Sequence, residues 1–157
     1  MSIHAWIPLA ILLGASASLT VQDKPDFTGE WILNRPASTL SPGADAVQSG
    51  VARIKHHDPT FRYTAEFVTG SNPLKYDFEL LSDGHELVST AQGGRTVSSL
   101  RWDGDALALT FRMQRDERAM TVSFRYELLD GGRRLRAVEQ VRGSDHDQDN
   151  EWIFDRR

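Results

Sequence analysis

The chain of 157 residues carries 22 acidic and 18 basic side chains, a formal charge of −4 with the two signs interspersed. That balance describes an evenly charged surface and gives no electrostatic case for nucleic acid, which calls for a concentrated positive face. There is no cysteine, which excludes disulfide staples, thiol catalysis and cysteine-held metals.

From Ala5 to Leu19 the sequence AWIPLAILLGASASL carries no charge and ends in small residues. That is the apolar region of a secretory leader, with Ala15-Ser16-Ala17 as its cleavage site. A spanning helix needs roughly 20 apolar residues, and this stretch is shorter and broken by Pro8. The chain is therefore expected to be exported (periplasmic or secreted), with residues 1–17 removed and no stable transmembrane span. Residues 18–25 read as a polar lead-in. Residues 26–157 are about the size of one domain with a real core.

After Asp26-Phe27-Thr28-Gly29-Glu30-Trp31 comes a loop-like run from Arg35-Pro36 to Ser49-Gly50, with two prolines and no strong period. From Val51 onward, short segments alternate apolar and polar residues with turn signals between them. They are Val51 to His56, Phe61 to Val68, Leu74 to Leu80, Glu86 to Ala91, Thr96 to Trp102, Ala106 to Met113, Met120 to Leu128, Leu135 to Val141 and Glu151 to Asp155. Asp83-Gly84, Gly93-Gly94, Asp103-Gly104 and Asp130-Gly131-Gly132 supply turns. Tight turns join antiparallel neighbours. The pattern predicts an all-β, antiparallel up-and-down meander of about 9–10 strands. A sheet that long tends to curl and close on itself, which removes its edges. A barrel is the expected form, with a sandwich or open half-barrel as the alternative.

Phe27-Thr28-Gly29-Glu30-Trp31 resembles the G-x-W opening of the lipocalins and the related calycin barrels, which include the fatty-acid-binding proteins. Arg101-Trp102-Asp103-Gly104-Asp105-Ala106-Leu107 resembles a hairpin of the fatty-acid-binding type. The order of these two motifs, Asp58-Pro59 and Trp152-Ile153-Phe154-Asp155 is similar to a group of exported bacterial lipocalin-like proteins of uncharacterised function. The resemblance implies a barrel with an interior for small apolar ligands, and an arginine covering Trp31, for which Arg142 and Arg156 both qualify. It departs from the fatty-acid-binding pattern in leaving no room for a helical lid. No convincing counterpart exists for the arginine and tyrosine that hold a fatty-acid carboxylate.

Candidate ligand-facing residues are Tyr63, Phe67, Tyr76, Phe78, Ser98, Leu109, Phe111, Phe124 and Tyr126. Their faces are either a cavity wall or a solid core, since barrels of about this strand number occur in both forms. Glu139 shares its alternation face with Leu135, Ala137 and Val141, and Thr96 and Ser98 share theirs with Leu100. Polar residues on such faces fit a wet interior or a lip near solvent. Asp145 to Glu151 has the oxygen-rich start of a calcium loop, but its twelfth position is Arg156, not a bidentate acid. A solvated hairpin tip is the simpler account. His56 and His57 are adjacent in a strand and point to opposite faces, so they do not converge on a metal. No nucleophile elbow or zinc-protease helix is present. The sequence thus predicts no catalytic residue, metal site or cofactor. The expected partner is a small hydrophobic ligand, bound by an exported, non-catalytic barrel. The rival reading is a filled-barrel structural or interaction module of the cell envelope. The oligomeric state is not specified.

Overall fold

The computed structural model describes residues 23–70, 72–143 and 147–157. The expected leader over 1–17, His4, and Asp145 and His146 of the acidic segment lie outside the described residues. Within them, ten strands form one antiparallel sheet: β1 (Gly29–Leu33), β2 (Val47–His57), β3 (Thr60–Thr69), β4 (Asn72–Leu81), β5 (Asp83–Ala91), β6 (Gly94–Asp103), β7 (Ala106–Arg115), β8 (Arg118–Leu129), β9 (Arg134–Arg142) and β10 (Gln148–Arg156). Their spatial order is β4-β3-β2-β1-β10-β9-β8-β7-β6-β5, an up-and-down meander whose first and last strands are neighbours. β1 makes that join, with Trp31 opposite Ala52 of β2 on one side and Arg156 of β10 on the other. The helical elements among the described residues are two 3-10 turns, Arg35–Ala37 and Asp130–Gly132. Neither is long or apolar enough to cross a membrane.

Two local expectations are corrected. β2 begins at Val47, inside the stretch read as loop. Val47 is buried and pairs with Thr69, and a register shift before Ser49 absorbs an extra residue. Gly50 is not a turn glycine. A Cβ there would stand 2.2 Å from Phe67 Cδ1, so the missing side chain is the space that the ring of Phe67 fills.

The second correction concerns Asp83-Gly84, which does not close a hairpin. β4 pairs with β3 alone and β5 with β6 alone, although they are consecutive. Ser82 explains the parting. Its N–H donates to Pro59 O at 2.8 Å and its hydroxyl to Asp58, tying the end of β4 to the β2–β3 turn. Asp83 pairs instead with Arg101, and Gly84 takes φ +83° in a bulge before Glu86 meets Ser99. The barrel is therefore nearly closed, with a seam between β4 and β5.

Register sorts the interior into two ends. Near the start of β1, Phe27 and Trp31 are 0 % exposed, and Ile54, Phe61, Leu100, Leu107 and Leu135 are buried with them. Trp31 Nε1 donates to Phe27 O at 3.0 Å. Of the two arginines that qualified, Arg156 covers Trp31, its guanidinium carbon 4.5 Å from the ring centre. Arg142 bonds Val141 O, Gln148 O and Asp149 instead. The other end, where β3–β4, β5–β6 and β7–β8 turn, is open.

Candidate functional site

The open half is lined by side chains that alternate inward along β3 to β10. Tyr63 stacks on Phe78 at 5.1 Å, Phe78 meets Phe111 edge-on at 5.4 Å, and Phe124 stacks on Tyr126 at 5.7 Å. Phe67 contacts Tyr76, Trp152 and Phe154 at about 6 Å. Pairing carries the same face to both sides of the seam, where Leu74 sits opposite Phe67, and Leu87 opposite the buried Ser98. Leu74, Tyr76 and Leu87 remain 43 %, 50 % and 55 % exposed although their register faces the barrel axis. This inward-register apolar surface stays accessible on the two strands that border the seam.

One carboxylate enters this lining. Glu139 lies opposite Phe124 of β8 and Asn150 of β10. Its Oε2 accepts from Trp152 Nε1 at 2.8 Å and from Asn150 Nδ2 at 2.9 Å. The Asn150 amide cannot flip, because its Oδ1 already accepts from Ser41 N (2.7 Å) and Ser41 Oγ (2.8 Å). Ser41 belongs to the 34–46 connection, which runs along β10 through a Thr39–Glu151 bridge and bonds from Ser38 and Asn34 to Ile153. It forms no helix pair over the mouth.

Burial pushes the phenols of Tyr63 and Tyr126 well above their ordinary range, and the Glu139 carboxylate adds to it. The Tyr76 phenol is raised by burial and then by Glu139. Among the described residues none of these three hydroxyls has a hydrogen-bond partner. At neutral pH they stand in the interior as neutral donors.

Among the described residues the histidines do not form a site. His57 faces out, while His56 is enclosed at the sealed end by Phe27, Phe61 and Trp102, with ring centres 5.6–5.8 Å away. Its Nδ1 accepts from Phe27 N at 3.4 Å, and Nε2 lies 3.8 Å from Asp58, beyond hydrogen-bond reach. Burial holds its pKa below the ordinary value, against the opposing pull of Asp26 and Asp58.

Of the residues singled out from sequence, Tyr63, Phe67, Phe78, Ser98, Leu109, Phe111, Phe124 and Tyr126 come together inside the barrel, with Leu109 deep in the packed part and Tyr76 at the open edge. Leu74, Leu87, Asn150 and Trp152 complete the lining and were not among them. Alternation alone reaches Trp152, two positions before Phe154, but finding Leu87 requires the β5–β6 register. Two surface clefts of about 580 and 500 Å3 are also present, one on the rim of the open end between the β5–β6 and β7–β8 turns and one at the sealed end beside Gly131 to Arg133. Neither is lined by any residue of the aromatic wall.

No family model and no curated protein sequence matches the chain. Solved structures do match in fold. Secretory abundant heat soluble protein 4 from Ramazzottius varieornatus superposes with a TM-score of 0.54 at 12 % identity, over 87 % of this chain and 99 % of that one. Zebrafish ileal bile acid-binding protein, complexed with cholic acid, gives 0.54 at 13 %, over 83 % and 98 %. Apo lipid binding protein 8 from Caenorhabditis elegans gives 0.53 at 14 %, over 83 % and 95 %. The fold is that of the ten-stranded calycin-like barrels.

Proposed function

We propose that this protein binds a small apolar or amphipathic molecule in the open half of its barrel and performs no chemistry on it. The carrying observation is the set of inward, half-exposed apolar side chains, Leu74, Tyr76 and Leu87, facing the aromatic wall of Tyr63, Phe78, Phe111 and Phe124. One fold-related barrel is complexed with cholic acid and another is named a lipid binding protein, which supports the reading. The test is titration with an uncharged environment-sensitive dye, followed by displacement with medium-chain amphiphiles and native mass spectrometry. Saturable, displaceable binding is expected. An interior that takes up neither dye nor amphiphile would support the filled-barrel interaction module instead.

The leader-like residues 1–17 support export as part of the same proposal. N-terminal sequencing of protein recovered outside the cytoplasm should begin near Ser18. An intact Met1 there would overturn cleavage.

A further inference from the structure

Resting on that binding reading, we infer that the interior selects ligands by charge: an apolar molecule bearing a protonated amine, with its nitrogen against the free oxygen of Glu139. Three observations converge. First, Glu139 is an acid on a strand face whose other members, Leu135, Ala137 and Val141, are apolar. Both donors that reach it, Asn150 Nδ2 and Trp152 Nε1, bind the same oxygen. Among the described residues Oε1 has no partner. The second oxygen of this partly buried carboxylate is left for a ligand cation or water to meet.

Second, the carboxylate is held rigid. Asn150 is buried, and its orientation is set from behind by Ser41. The indole of Trp152 fixes the other side and presents its ring toward Phe67. Held acids surrounded by aromatic faces suit cations, which gain from both the charge and the ring quadrupoles.

Third, the interior offers no basic counterpart. Among the described residues at inward register positions, Arg156 is engaged over Trp31 at the sealed end, and Arg115 and Arg118 are exposed at the β7–β8 tip. His56 is walled in by aromatic rings. A fatty-acid carboxylate entering this space would meet Glu139 with like charge and find no arginine to hold it. The phenols of Tyr63, Tyr76 and Tyr126 add acceptor oxygens that also suit an ammonium head.

The experiment compares dodecylamine, dodecanol and dodecanoate, of one chain length and below their micellar concentrations, as displacers of an uncharged dye at neutral pH and low salt. The expected order is amine, then alcohol, then acid, with amine and acid separated by about tenfold or more in Kd. Glu139→Gln keeps a carbonyl oxygen for Asn150 and Trp152. It should bring amine and acid to within about threefold of each other, each read as its ratio to dodecanol in the same protein. Equal affinity for all three in wild type, or a preference that survives Glu139→Gln, overturns the charge selection and leaves the binding reading standing. Displacement by none of the three overturns both. If Glu139→Gln fails to fold, the wild-type order decides alone.

Discussion

The two ends of this barrel use the same kinds of residue for different purposes. At the sealed end Phe27, Trp31 and Phe61 bury their rings, Trp102 packs partly buried against them, and both indoles have internal acceptors: Trp31 Nε1 on Phe27 O, Trp102 Nε1 on Asp58. At the open end, among the described residues, Tyr63, Tyr76 and Tyr126 keep hydroxyls unpaired, Glu139 keeps one oxygen unpaired, and Leu74 and Leu87 keep apolar surface uncovered. The difference follows from what crosses each end. The segment before β1 inserts Phe27 across the sealed end, whereas the 34–46 connection lies along β10. Stability is thus concentrated at one end, and capacity to bind at the other.

The sharpest way to break this comparison is Trp31→Ala. Removing a fully buried indole from the sealed end should cost about 3–5 kcal/mol. Urea unfolding reads this as a lower midpoint with an unchanged slope. A Trp31→Ala protein that unfolds like wild type but loses dye binding would place this residue in the site and not in the seal. Gly50→Ala should follow at about 1–3 kcal/mol, because the new methyl collides with Phe67. Pairing it with Phe67→Leu should recover part of the loss. If the double variant is no better than the sum of the singles, the close approach is not the cause.

Gly50 also shows where sequence reasoning stopped. The meander and the central parts of the strands from β3 onward were legible, because alternation and turn residues are local signals, whereas β5 and β10 begin earlier than alternation placed them, at Asp83 and Gln148. A glycine whose neighbour is Phe67, seventeen positions away in the chain, reads as a turn until register is known. The seam was hidden for the same reason. Asp83-Gly84 carries the local chemistry of a hairpin, and the contacts that defeat it come from Asp58 and Pro59. In the candidate site, Glu139 was visible as a polar residue on an apolar face. Which of its oxygens is engaged depends on Asn150 and Trp152, which share a face of β10, and on Ser41, which no periodicity links to them or to Glu139.

A smaller effect separates the ends by pH. His56 sits neutral among aromatic rings, with a folded pKa below its ordinary value near 6.5. The unfolded chain therefore binds the proton first, and stability falls as pH drops through about 6.5 toward the folded value, then levels off for this group. Asp26 and Asp58 have folded pKa values below the ordinary carboxylate range, so they withdraw stability only in stronger acid. Protonating Nδ1 also removes the acceptor for Phe27 N. Unfolding midpoints at about pH 7.5 and about pH 5 should differ in wild type and in His57→Gln, and differ less in His56→Gln. An identical pH dependence in all three would show that the sealed end does not sense protons through His56.

The smallest expected change in stability is the one that most directly tests the open end. Tyr76 is half exposed and its hydroxyl is unpaired, so Tyr76→Ala should shift stability by only about 0.5 kcal/mol. Its ring nevertheless faces inward beside Phe67, at 6.0 Å, on the strand that borders the seam. A ligand lying along the aromatic wall would cover that ring, so the same substitution should weaken dye binding several-fold. Lys75→Ala, on the neighbouring outward position, removes a surface pair with Glu66 and should change neither quantity. The contrast between adjacent residues of one strand isolates the interior face from general effects on β4. If Tyr76→Ala and Lys75→Ala bind alike, the half-exposed apolar side chains along the seam are surface and not site, and the division between the two ends loses its functional half.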